Sequence, residues 1–110
     1  MGPKWYLVGS NPSAPITLEY LDREVFAGSS GCNHYSTPVK HETDAAISIG
    51  PIASTTSSCT SETWQAQEQF FRRLEAASLI QRRENGIAIQ YDFGEGKENG
   101  ELVFTTAPPF

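Results

Sequence analysis

The chain is short of sulfur, of positive charge and of long apolar runs, and each shortage removes a class of function. Cysteine occurs only at Cys32 and Cys59, and the histidines are His34 and His41. A structural zinc site draws on four Cys or His ligands in close-spaced pairs, and no Cys-x-x-Cys unit is present, so no metal or other cofactor is expected. Eight Lys and Arg face thirteen Asp and Glu, a formal net charge of −5. That balance disfavours nucleic acid and anionic membranes, which are held chiefly by basic side chains on phosphates. The pairs Arg72-Arg73 and Arg82-Arg83 are too short to reverse it and read as solvated faces. No stretch approaches the roughly 20 apolar residues that cross a bilayer, so no transmembrane segment is expected. The N-terminus lacks the sections of a secretory signal. Met1-Gly2 does not make a myristoylation start, because Tyr6 stands where that pattern needs Ser or Thr.

The 110 residues suit one domain, residues 1–110 with a core over about 4–106, and an apolar fraction of 38% is that of a folded chain. Trp5-Tyr6-Leu7-Val8 reads as a first strand, and Ile16 to Tyr20 alternates with period two as a second. Val25 to Gly28 returns as its hairpin partner after Asp22-Arg23-Glu24. Pro38 to His41 and Ala46 to Ile49 give two further short strands around Glu42-Thr43-Asp44. From Thr60 the period lengthens: Trp64, Phe70, Phe71, Leu74, Ala77 and Ser78 share a broad face, which predicts a helix of about four turns. Thr60 or Ser61 is placed to cap it, and Glu62 suits its dipole. Leu79 to Arg83 and Ile87 to Tyr91 flank Asn85-Gly86, a hairpin signal. Asn99-Gly100 precedes a last strand over 101–105. Ile87, Ile89, Tyr91 and Phe93 should face a core shared with the helix, the loop Gly94 to Gly100 should be mobile, and Ala107 to Phe110 should leave the sheet.

The cysteines allow buried thiols, half of a metal site or one disulfide. Cys32 lies in a glycine-flanked turn and Cys59 at the threshold of the helix, an arrangement that suggests a cross-link pinning helix to sheet. Such a bridge would contribute roughly 3 to 4 kcal/mol through loop closure and would argue for an oxidising compartment. The run Gly31-Cys32-Asn33-His34-Tyr35-Ser36, followed by Ile49-Gly50-Pro51-Ile52-Ala53-Ser54-Thr55 and Cys59 before a helix with Glu68, Phe71 and Leu74, resembles the META domain. That family includes the heat-shock protein HslJ, and the likeness spans Trp5 to Phe104. His34 stands where arginine is common, and Thr56, Ser57 and Ser58 where relatives often carry basic residues or methionine.

The resemblance implies an α+β fold, a small antiparallel sheet curled into a partial barrel packed on one α-helix. It implies a periplasmic, envelope or secreted protein, often lipid-anchored, with any native leader or anchor lying before Met1, and a link to stress or antibiotic tolerance. Gly31, Asn33, Tyr35, Gly50 and Thr55 become structural motif positions beside Cys32 and Cys59. No catalytic residue is assigned. Cys32 and His34 could form a thiolate and base only if the sulfur were free, and the carboxylates of Asp22, Glu24, Asp44, Glu95 and Glu98 fall in expected turns. The hydroxyl-rich run 54–58 lacks the glycines and lysine of a phosphate loop and reads as a connector satisfying its own backbone. Trp5, Trp64 and Phe70 are the candidate surface for a ligand or partner. The expectation is a monomeric, non-enzymatic module meeting an envelope protein or small apolar ligand; the alternative is a lipocalin-like carrier or inhibitor.

Overall fold

The computed structural model describes residues 4–106. Among the described residues, nine strands and one helix follow in the order β1 (Trp5–Leu7), β2 (Thr17–Asp22), β3 (Val25–Ser29), β4 (His34–His41), β5 (Ile47–Ile49), β6 (Ala53–Ser54), α1 (Ser61–Glu75), β7 (Ala77–Arg83), β8 (Gly86–Asp92) and β9 (Asn99–Thr105). All pairings are antiparallel, and the sheet runs β5-β4-β3-β2-β1-β9-β8-β7 with β6 added to β4. Its outer strands come together where Ala46 bridges Leu79 and the Ile80 N–H donates to the Ala45 carbonyl at 2.8 Å. The result is the expected α+β architecture, a nearly closed eight-strand barrel with one helix packed on it.

Period-two alternation sets the barrel's inner face. Trp5, Leu18, Phe26, Tyr35, Val39, Ile47, Ile87, Ile89, Tyr91, Leu102 and Phe104 are all buried in one cluster. Burying large aromatic and branched side chains supplies the main driving force for the fold. From the helix, Gln67, Phe70 and Leu74 face this core, and Phe70 meets Tyr35 and Phe104 edge-on at 5.4 and 6.3 Å. The helix thus lies across the barrel end where β3 stops and β4 begins. At the opposite, distal end gather the β2–β3 and β7–β8 turns and the β4–β5 loop.

Several elements differ from the sequence expectation for identifiable reasons. The hairpin turn is Glu84-Asn85, one residue earlier than Asn-Gly, because Arg83 pairs with Gly86. Gly86 does not have positive φ; it is needed because a Cβ there would strike the Phe104 carbonyl. Asn99-Gly100 likewise lies inside β9 and makes no turn: Gly100 faces Tyr91, whose hydroxyl would sit 2.9 Å from an added Cβ. Strand β4 begins at His34, four residues earlier than Pro38. Pro38 marks the division between its β6-paired and β5-paired halves, having no N–H to donate. The helix ends at Glu75, so Ala77 and Ser78 belong to β7. Trp64 is 49% exposed and leaves the core face to Gln67. Residues Ala107 to Phe110 lie outside the described residues.

Candidate functional site

The two sequence motifs meet around Asn33. Gly31 turns the chain with φ of +95°, and a Cβ there would come within 2.8 Å of the Ala14 carbonyl; only glycine takes that conformation without strain. Cys32 and Cys59 are joined by a disulfide with their Cα atoms 6.0 Å apart, within the usual span for such a bond. Asn33 is buried between them and the helix. Its Nδ2 donates to Gln67 Oε1 at 3.0 Å, while its Oδ1 accepts from Thr55 Oγ1 at 3.1 Å and from the Ser57 N–H at 2.8 Å. Ser30 Oγ donates to the same Gln67 oxygen at 2.5 Å. One amide therefore ties the β3–β4 turn, the hydroxyl-rich connector and α1 into a single buried polar node, with every polar atom of the Asn33 side chain used.

The remaining motif positions are structural neighbours of this node. Thr55 pairs with His34 through both backbone and side chain: its N–H donates to the His34 carbonyl at 3.0 Å, and its Oγ1 accepts the His34 N–H at 3.1 Å. The connector is satisfied in large part by Asn33 and His34, where the sequence reading had it satisfying itself. Gly50 donates its N–H to the Pro38 carbonyl at 2.9 Å, and an added Cβ would press on the proline ring at 3.0 Å. The Tyr35 hydroxyl donates to the Thr17 carbonyl at 2.7 Å, and burial holds its titration far above the ordinary phenol range, with the Glu19 charge adding in the same direction.

Of the three residues expected to form a partner surface, Trp5 and Phe70 are core residues, 3% and 2% exposed, and offer none. Their ring contacts explain it: Trp5 packs edge-on to Tyr20 at 6.2 Å and Phe70 against Tyr35. Trp64 alone remains accessible. His34 is exposed, His41 lies at the distal end, and both sulfurs are bonded to each other, so the structure brings no histidine to a free thiol.

At the distal end the barrel opens into a cavity of about 480 Å³. Tyr20 forms its ledge, backed by Phe26 at 4.7 Å between ring centroids, with the His41 ring nearly parallel to it and His41 Nε2 3.3 Å from the Tyr20 hydroxyl. Burial raises the Tyr20 titration, and the Arg82 charge acts against that rise. Arg23, Thr43, Asp22 and Asp44 complete the rim.

The family model for the META domain matches residues 4–108. The chain belongs to the META-domain family. Among curated proteins no sequence matches it. A solved NMR structure of a protein from Burkholderia xenovorans is similar to this META domain with a TM-score of 0.65, at 22% identity, over 94% of this chain and 80% of that one. That likeness is one of fold.

Sequence reasoning missed two members of the META domain's polar node, Gln67 and Ser30. Gln67 was legible in principle, because it sits three residues before Phe70 and seven before Leu74 on the buried stripe. Also missed was the clamp on the far side of α1, where Arg73 donates to Glu98 Oε2 at 2.6 Å and stacks over Tyr91 at 5.3 Å. Its hydrogen bond to Arg73 holds the Glu98 carboxyl below the usual range. Nothing in the spacing of residues 73 and 98 announces that pair.

Proposed function

We propose that this META domain is a non-enzymatic contact module of the cell envelope or the secreted set, serving stress or antibiotic tolerance by engaging a protein or small ligand. The observation that carries the reading is the bridged Cys32–Cys59 pair with no free cysteine among the described residues. A structural disulfide suits an oxidising compartment, and a bonded sulfur supplies no thiolate nucleophile. The barrel interior is filled by Trp5, Leu18, Phe26, Tyr35, Phe70 and Phe104, which supports contact at the outer surface over a lipocalin-like internal ligand. Trp64 is the accessible aromatic anchor, a residue type that dominates many interfaces.

The test is capture from an envelope extract with the wild type and Trp64→Ala, run beside alkylation of the unreduced protein. Capture of one discrete component, weakened at least tenfold by the substitution, with no alkylated sulfur, is the expected result. Rapid labelling of a low-pKa thiol would move the protein to a cysteine enzyme. Saturable uptake of a lipophilic fluorophore would move it to a carrier.

A further inference from the structure

The distal cavity has features that the contact-module reading leaves unused. Mouths of β-barrels are among the preferred places for small-molecule sites, and a volume near 480 Å³ is in the range of such pockets. Arg23 leaves the β2–β3 turn and Arg82 leaves β7, strands not adjacent in the sheet, and both line the cavity. Neither is held by a hydrogen bond or ion pair among the described residues, whereas Arg73 and Arg83 are held by Glu98 and Glu101. Two rings line the cavity with Arg23 and Arg82: Tyr20, packed against Phe26 and edge-on to Trp5, and His41, stacked on the phenol at 26° with the ring centroids 6.0 Å apart.

Charge narrows the occupant. Asp22 and Asp44 share the rim, so its formal charges balance and the cavity exerts no general pull on anions. Asp22 is already engaged through Oδ1, which accepts the Glu24 N–H at 2.8 Å. Recognition then rests on shape. A guanidinium presents a planar fork of donors that a carboxylate matches with two parallel hydrogen bonds. Inorganic phosphate can also meet the fork, but it has no ring to place on Tyr20 and so lacks half of the contact.

We propose that the distal mouth binds a small monocarboxylate bearing a flat ring, its ring on Tyr20 and its carboxylate on Arg82, with His41 and Arg23 also lining the site. The assignment deepens the contact-module reading and rests on it in one respect, that the domain acts by binding.

The experiment is a titration of the ¹⁵N-labelled full chain, followed by NMR, with benzoate, benzamide, benzylamine and inorganic phosphate in separate arms. Benzoate should give saturable shifts confined to the neighbourhood of Tyr20, Arg23, His41, Thr43 and Arg82. Benzamide and phosphate should bind at least tenfold more weakly, and benzylamine should give no saturable response there. Arg82→Gln should weaken benzoate at least fivefold with the rest of the spectrum unchanged, while Tyr20→Phe, which keeps the ring, should stay within about threefold of the wild type. Benzamide or phosphate binding as tightly as benzoate, binding of benzylamine at the mouth, or an absence of saturation with benzoate overturns the proposal. A partner captured through Trp64 by a protein that ignores benzoate would sink the mouth site alone. Benzoate binding with no envelope partner would sink the partner reading and leave the mouth site standing.

Discussion

Asn33 offers both a donor and an acceptor from one short side chain, and the node around it uses both ends. Asn33→Ala would leave the Gln67 oxygen with Ser30 alone and strip the buried acceptor from Thr55 and Ser57. A loss of about 2 kcal/mol is expected, with the disulfide intact, read as a lower urea midpoint at unchanged slope. Tyr35 governs the alkaline limit. Its folded titration is raised by burial, so above about pH 10 the unfolded chain loses a proton that the folded chain keeps. The stability linked to this proton is fully present below pH 10 and declines as pH rises, by about 1.4 kcal/mol per pH unit from this phenol alone. Urea unfolding at pH 9, 10 and 11 should show the decline. Tyr35→Phe should be weaker at neutral pH, having lost the bond to Thr17, yet lose less stability with rising pH than the wild type.

Among the elements, the helix depends most on local chemistry. Thr60 Oγ1 accepts the Thr63 N–H at 3.2 Å at its N-terminus. Thr60→Ala should cost about 1 kcal/mol, measured by thermal or urea unfolding, because the exposed amide loses its partner. The start of this helix was readable from the cap and the change of period, and its end was not. Ala77 and Ser78 both belong to β7, and they continue a run of small or apolar residues across the change of element. Strands β2 and β8 were readable because apolar and polar residues alternate along them, and β3 because it returns after a polar turn as the partner of β2. Strand β6 was hidden, since its two residues are exposed and pair with β4 by backbone contacts that side-chain pattern does not encode. Asn85-Gly86 pointed to the correct hairpin for a partly different reason: the glycine admits the Phe104 carbonyl, and the turn lies one residue earlier.

For the whole molecule, the cross-link is the largest single constraint on the unfolded chain. Reduction, or paired Cys32→Ser and Cys59→Ser substitution, should lower stability by about 3 to 4 kcal/mol while the barrel's native spectrum survives at low denaturant; comparison of oxidised and reduced unfolding curves checks this. The cysteine pairing and the motif glycines were legible because local turn chemistry and family likeness coincide there. The distal mouth was not legible: Tyr20, His41 and Arg82 come from three separated segments and meet only when the sheet curls. Trp5 and Phe70 were misplaced as surface for the same reason, because one sequence does not say which aromatic rings a closed barrel will swallow.

The join between β5 and β7, where a single bridge and the Ile80 amide complete the ring, makes the fold a hoop with one clasp. A hoop unfastens before it breaks, so the Ile80 amide should exchange with deuterium well ahead of Ile89 on the seamless side, in an opening smaller than global unfolding. While unfastened, the ring offers two unpaired strand edges on which a passing extended chain can pair.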